Sequence, residues 1–441
     1  MSEKREESHE SKAQEPDLTD APAPEEGEPE EKYSFLQETF KDEQVTRKTI
    51  WDVVWKTAGK GLIFGLAACL AFCALKPWAD SVFSGGSNKV TIPEDKEDEE
   101  IPEDTEEEDK EETVYPDLTI DDYRELSKAI YQTASEANRC VAEVSAVKDA
   151  ESWENNSFDS VNSVSGAVIW ESGTEVLVLA PARIAKDAES LSVIFADGIE
   201  YKASLKKQDR NLGLAVFAVE KRLLADSTKN QMKTAVLGNS NIASRGDSVI
   251  VSGKQFGYAG GIGYGIISSV RNRISVADGE YKILTTDIAA ADGGSGVLFN
   301  VSGEVIGIVD QKISDQSSMN LVTAYAISDI KGYIEQLSNG KGIPYVGIHG
   351  VEVTESLSEE RGIPKGIYVK EVEADSPAMQ AGIQSGDVIT AIGNTTVSTI
   401  ALYKKNLMDC EVGEQIKIRG QRQGASGYVD VNFTVTIGSK E

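Results

Sequence analysis

The sequence predicts a mainly β protein of two globular domains, standing behind one membrane-spanning helix and two acidic, unstructured segments. Three observations predict it. Eleven short β-rich runs, from "SGAVIW" at Ser165 to "TAYAI" at Thr323, are punctuated by Gly, Asp and Asn. An uncharged apolar run covers Gly61–Leu75. The net charge of −29 is concentrated in two blocks rather than spread along the 441 residues.

Residues 1–46 hold 15 acidic and 5 basic residues, are rich in Glu, Pro and Ser, and carry no hydrophobic pattern. Such a tail cannot bury enough apolar surface to fold and is expected to be disordered. Residues 47–60 bring Arg47, Lys48, Lys56 and Lys60 to the N-terminal side of the apolar run. The run is short of the about 20 residues a helical span usually needs. Lys60 and Lys76 flank it and can snorkel, and Pro77, Trp78, Val82 and Phe83 extend it, so the span is read as 61–83. Trp51, Trp55 and Trp78 suit the two interfaces, and the basic flank places the N-terminus in the cytoplasm. The charged region ahead of the run is too long for a cleaved signal peptide. "LAAC" at Leu66–Cys69 resembles a lipoprotein box, but the apolar run continues past Cys69. An uncleaved signal anchor fits best. Residues 84–116 hold 14 acidic and 3 basic residues. Self-repulsion predicts an extended stalk there.

Globular patterning starts near residue 120 with a helical segment, "DDYRELSKAIYQTASEANRCVAEV". The short runs that follow argue for barrels or a sandwich and against a parallel sheet. "SDIKGYIEQLSNGKG" reads as a closing helix with a glycine stop. The first domain is therefore 120–340. The second, 343–438, mixes strands with short helices.

Composition excludes several function classes. A strongly acidic chain repels nucleic acid. The four cysteines, Cys69, Cys73, Cys140 and Cys410, form no disulfide framework, and no CxxC or Cys/His cluster suggests zinc. No metal and no cofactor is expected. The stretch "TTDIAAADGGSGVLFN", Thr285–Asn300, displays Ser295 in a glycine nest ahead of an apolar strand. A serine in that setting becomes a nucleophile only if a base takes its proton. The chain has two histidines, His9 in the tail and His349 at the start of the second domain.

The chain resembles the HtrA-type serine proteases, a trypsin-like double β-barrel followed by a PDZ domain (α+β). The likeness rests on landmarks in order over about 120–438: "SGAVIWESGTEVLVLAPARIA", "LSVIFADGIEYKASLKKQDRNLGLAVFAV", "VSGKQFGYAGGIGYGIISSV", "LTTDIAAADGGSGVLFNVSGEVIGI" and "TAYAISDIKGYIEQL". The resemblance implies a catalytic triad whose serine is Ser295. The family's histidine place falls on Pro181, or on Ala182 if the register slips by one, and the aspartate place on Gly213. Loss of the histidine alone costs a working triad about 10⁶ in turnover. The oxyanion donors, the N–H groups of Gly293 and Ser295, are expected to survive and to bind a peptide carbonyl without cutting it.

In the second domain, "SPAMQAGIQSGDVITAIGN" is the most specific PDZ-like stretch. The resemblance places a carboxylate-binding loop at Tyr345, Val346, Gly347 and Ile348, facing a helix at about Ser398–Met408. There a protein or peptide C-terminus would add as a strand.

The reading is thus a membrane-anchored pseudoprotease that binds peptides outside the cytoplasmic membrane in regulation or quality control. The alternative is an active serine endopeptidase in which Ser295 uses another base, with Lys186 and Lys254 in candidate loops. A homotrimer is also implied by the resemblance, and no sequence feature bears on it. The N-in, C-out topology has a direct test. Protease added to intact cells should remove both globular domains and spare the tail; protection of the C-terminal domains would overturn the orientation.

Overall fold

The computed structural model describes residues 89–95, 119–147, 163–313 and 320–441. The tail, the basic flank and the span expected over 61–83 lie outside them. Among the described residues no helix is long and apolar enough to cross a membrane.

Helix α1, Ile120–Ala137, opens with a capping box. The Thr119 hydroxyl accepts from the Asp122 N–H while the Asp122 carboxylate accepts from the Thr119 N–H. The sequence reading ran this helix on to Val144, and that is corrected. The helix stops at Ala137, and Val141–Val147 is strand β1. Val144 and Ala146 alternate inward there, a period of two that overrides the helical reading.

The first barrel is β1, β2 (Ser163–Glu171), β3 (Glu175–Pro181), β4 (Ser190–Ile194), β5 (Glu200–Asp209) and β6 (Leu214–Glu220), closed in the order β1-β2-β3-β6-β5-β4. After the short helix α2, Asp226–Gln231, the second barrel follows: β7 (Ser248–Gly253), β8 (Gly261–Val276), β9 (Gly279–Ala289), β10 (Ser295–Asn300), β11 (Val305–Asp310) and β12 (Leu321–Ala326). It closes as β10-β11-β12-β9-β8-β7.

Strands at the seam between the barrels are buried on both faces. In β3, Val176, Val178 and Ala180 fill the first barrel while Leu177 and Leu179 enter the seam. In β10, Leu298 fills the second barrel while Val297 and Phe299 enter the same seam. Alternation therefore sorts apolar side chains between two cores instead of between core and water. Helix α3, Ile327–Ser338, adds Ile327, Ile330, Ile334 and Leu337 to the seam core, the spacing of one helical face.

The C-terminal domain is a six-stranded sheet: β13 (Ile348–Glu352), β14 (Ile367–Val372), β15 (Val388–Ile392), β16 (Thr395–Thr396), β17 (Gln415–Gly424) and β18 (Gly427–Thr436). Helices α4 (Glu355–Arg361), α5 (Pro377–Gln380) and α6 (Ile400–Met408) accompany it. Ser376 caps α5 by accepting from the Met379 N–H, with Pro377 in the first turn. Asp387 turns into β15 and holds the Arg422 guanidinium on both carboxylate oxygens. Strand β13 ends the sheet, leaving its outer edge unpaired by other strands, and α6 lies alongside.

Residues 89–95 correct the expectation of a free stalk in that part of 84–116. Val90 is buried against α3, and its N–H and carbonyl are both met by the Asn339 amide. The Ile92 N–H donates to Glu335. Asp95 accepts from the Ser328 hydroxyl at 2.5 Å and pairs with the buried Lys331 ammonium at 2.8 Å. Apolar Val90 and Ile92 and a charge-matched Asp95 outweigh the repulsion of the acidic run. Removing one partner of a buried ion pair strands the other. Asp95→Ala should therefore lower the unfolding free energy by roughly 3 kcal/mol, read from urea melts, and adding Lys331→Met should recover most of it. An unchanged midpoint in Asp95→Ala would show that the strap does not hold.

Candidate functional site

Ser295 begins β10, directly after the turn formed by Asp292–Gly294. Gly293 has φ +69°, a left-handed conformation that favours glycine. The Gly294 N–H closes the turn on the Ala291 carbonyl, and the Lys254 and Gln311 N–H groups hold the carbonyls of Ser295 and Gly294. The serine is wholly buried. Its Oγ accepts a hydrogen bond of 2.9 Å from the Ser165 N–H of the opposite barrel.

No base meets that oxygen among the described residues. Pro181 ends β3 and Ala182 opens a short 3₁₀ turn, Ala182–Ala185, both buried. The Ala182 N–H donates to the Gly213 carbonyl at 2.7 Å. Neither carries a group that moves a proton. The sequence reading missed the next residue. Arg183 reaches across the cleft to donate to the Gly293 carbonyl at 2.7 Å and pairs with the buried Asp310 of β11. The signal was present in "PARIA": in a 3₁₀ turn that starts at Ala182 and buries Ala182 and Ile184, Arg183 is left to face the cleft.

The remaining candidates are engaged elsewhere. Lys254 donates from Nζ to the Ser163 hydroxyl at 2.7 Å, and burial lowers its pKa. Lys186 is exposed beyond the 3₁₀ turn. His349 lies in the C-terminal domain beside Glu373. The Asp292 carboxylate, next to Gly293, takes the Lys312 ammonium at 2.7 Å, which holds its pKa down. Asp209, four residues before Gly213, accepts from the Asn211 and Leu212 N–H groups; burial pushes its carboxyl up to about 6.

The second candidate is the loop at Tyr345–Ile348. Tyr345 bridges to Gly438. Gly347 has φ +92°, and a Cβ there would lie 2.4 Å from that of Ser376, so only glycine fits. The N–H groups of Val346, Gly347 and Ile348 converge on one carboxylate, that of Asp278, at 2.7, 2.7 and 3.1 Å. The Tyr403 hydroxyl of α6 donates to the same carboxylate at 2.8 Å. Asp278 sits in the turn joining β8 and β9 of the second barrel, where Val276 pairs with Gly279. Burial raises its pKa against the pull of these donors. Between the second barrel and the C-terminal domain lies a cleft of about 1690 Å³, lined by Arg271 and Lys282 on one side and by Val351, Ile400 and Lys405 on the other.

Comparison with known proteins agrees with this architecture. The trypsin-like peptidase domain family matches residues 164–308, and the PDZ domain family matches residues 344–433. The serine protease Do-like HtrB of Bacillus subtilis (strain 168) is 31% identical over 289 residues, covering 61% of this chain and 62% of that protein. The serine protease Do-like HtrA of Lactobacillus helveticus is 27% identical over 306 residues, 66% of this chain and 71% of its own. A probable periplasmic serine endoprotease, DegP-like, of Halomonas elongata is 29% identical over 280 residues, 62% of this chain and 56% of its own. The chain thus spans less than two thirds of the first and third of these relatives. Among solved structures, the HtrA-type protease AlgW with a decapeptide superposes with a TM-score of 0.51 at 23% identity, over 71% of this chain and 99% of that one, a likeness of fold. Two six-stranded barrels, a serine turn at their seam and a following PDZ domain with a carboxylate-holding loop are the architecture that this chain shares with the HtrA-type proteases it is similar to.

Proposed function

We propose that this chain is an HtrA-type pseudoprotease that binds protein or peptide C-termini through its PDZ domain. One observation carries the reading: the Ser295 Oγ is buried and accepts from the Ser165 N–H, with no base in hydrogen-bond contact with it among the described residues, while the nearby Arg183 is committed to the Gly293 carbonyl and Asp310. A serine hydroxyl in water-like conditions is a poor nucleophile, and catalysis in this fold depends on a base within hydrogen-bond reach. A guanidinium keeps its proton throughout the working range and cannot serve as that base. Peptide binding is supported by three backbone N–H groups that already hold a carboxylate and by the unpaired outer edge of β13. An extended chain adds to such an edge by main-chain hydrogen bonds.

We place the work of both domains outside the cytoplasmic membrane, tethered by the helix read over 61–83. The basic flank at Arg47–Lys60 supports that orientation, and the relative from Halomonas elongata is named as periplasmic. Regulation or quality control suits a chain that grips termini and leaves them intact.

Two measurements test the inactive serine. The full-length protein should not react with a fluorophosphonate probe, and casein should be left uncut; labelling abolished by Ser295→Ala would establish an active nucleophile and refute the reading. Arg183→Ala should behave as a structural change. It leaves the buried Asp310 without its partner and should cost roughly 2–3 kcal/mol of stability in urea melts, with no gain in probe reactivity. Faster labelling in Arg183→Ala would mean that the arginine only masks a working serine.

A further inference from the structure

We propose that the turn between β8 and β9 is an internal ligand of the PDZ domain: Asp278 mimics a peptide C-terminus in the carboxylate loop, and an external C-terminus binds by displacing it. The inference deepens the peptide-binding reading above and rests on it.

The mimicry is residue by residue. The Asp278 side-chain carboxylate takes the N–H groups of Val346, Gly347 and Ile348, the donors that a terminal carboxylate would need. Its own backbone N–H donates to the Ile348 carbonyl at 2.8 Å, as the last residue of an added strand would. The Tyr403 hydroxyl completes the set from the facing helix. One residue thus makes both the strand-like and the end-group contacts. The Asn211 amide braces the turn by donating to the Ala277 carbonyl at 2.7 Å.

The arrangement is costly, which argues that it is specified. Asp278 has φ +62°, a region that non-glycine residues rarely adopt. Its carboxylate is removed from water, with hydrogen-bond donors but no ammonium or guanidinium paired with it among the described residues. Local rules broken in this way are expected at functional positions. Further contacts set how the domains part. The Arg210 N–H donates to the Lys440 carbonyl, and Lys207 pairs with Glu441 at 2.7 Å. These lie at the chain's last residues, next to Tyr345 of the loop, which bridges to Gly438 and has the Lys440 ammonium 5.6 Å from its ring centre. The groove beside β13 and α6 remains open to the cleft, so a peptide can lie along it before its end reaches the loop.

A site occupied from within binds external ligand in proportion to the fraction of time it stands open. The experiment uses the full-length protein in detergent and its Asp278→Asn and Asp278→Gly variants. Asparagine keeps the shape and tolerates the left-handed backbone, but its amide meets the three donors with one of its own; glycine removes the side chain and the strain. Two quantities are read: the exchange rates of the Val346, Gly347 and Ile348 amides, and the anisotropy of fluorescein-labelled peptides ending in apolar residues with a free carboxylate. Both variants should exchange at least about tenfold faster at these amides and bind the peptides at least about tenfold tighter than wild type. Amidated peptides should gain nothing. Unchanged exchange, or equal peptide affinity in wild type and variants, would overturn the internal ligand. Faster exchange with no peptide bound by any form would support the clasp and instead overturn the peptide-binding reading.

Discussion

Leu177, Leu179, Leu214, Ile250, Val297 and Phe299 turn away from their own barrels and pack together, and the serine turn stands at the edge of the seam they form. Two closed sheets that share a core must bring the backbone of one within reach of the side chains of the other. That is why the Ser165 N–H, on β2 of the first barrel, meets the Ser295 Oγ on β10 of the second. Close approach is enforced by small residues. A Cβ on Gly253 of β7, in the second barrel, would lie 2.8 Å from that of Ser165 on β2 of the first. The approach of the two barrels around the serine turn is therefore kept by packing. Core packing of this density tolerates little change in volume.

Much of this was legible in the sequence. The short β-rich runs "EVLVLAP" and "SGVLFN", the glycine-stopped helix after "TAYAI" and the turn at "SPAMQ" each follow from local chemistry, and the folded chain uses them as such. What escaped was settled by contacts distant in sequence. Val141–Val147 reads as the tail of a helix until β2 and β4 flank it. Arg183 reads as one more surface cation until Gly293, 110 residues on, offers its carbonyl. Asp278 reads as an ordinary hairpin residue in "VADGE". Its partners are Val346, Gly347, Ile348 and Tyr403, in another domain, and no local pattern announces them.

A group of buried polar side chains lies where the two domains meet. Asp209 and Asp278 lie near enough that each raises the energy of the other's charge, and the phenols of Tyr281, Tyr333 and Tyr403 are pushed to higher pKa mainly by burial. Tyr281 stacks edge-on against Tyr325 and Tyr333, with the Lys404 ammonium 4.5 Å from its ring centre. A boundary rich in buried hydrogen bonds is selective about geometry, because each group left unpaired costs more in low dielectric than it would in water. Such a boundary favours discrete docked and undocked arrangements over a continuum of partial ones.

The strap at 89–95 changes what the acidic segment after it is for. Chain that runs from a membrane to a folded domain sets their separation, and its length governs reach. Here the chain is fastened to α3 at Val90 and Asp95 before most of the acidic residues occur, and it rejoins the folded body at Thr119. Residues 96–118 connect two fastened points of one folded unit, and doubling the length of that connection would cost only about 0.6 kcal/mol in closure entropy. Pull applied to the chain ahead of Val90 therefore meets α3 as its first fixed point among the described residues, well before the chain reaches β1.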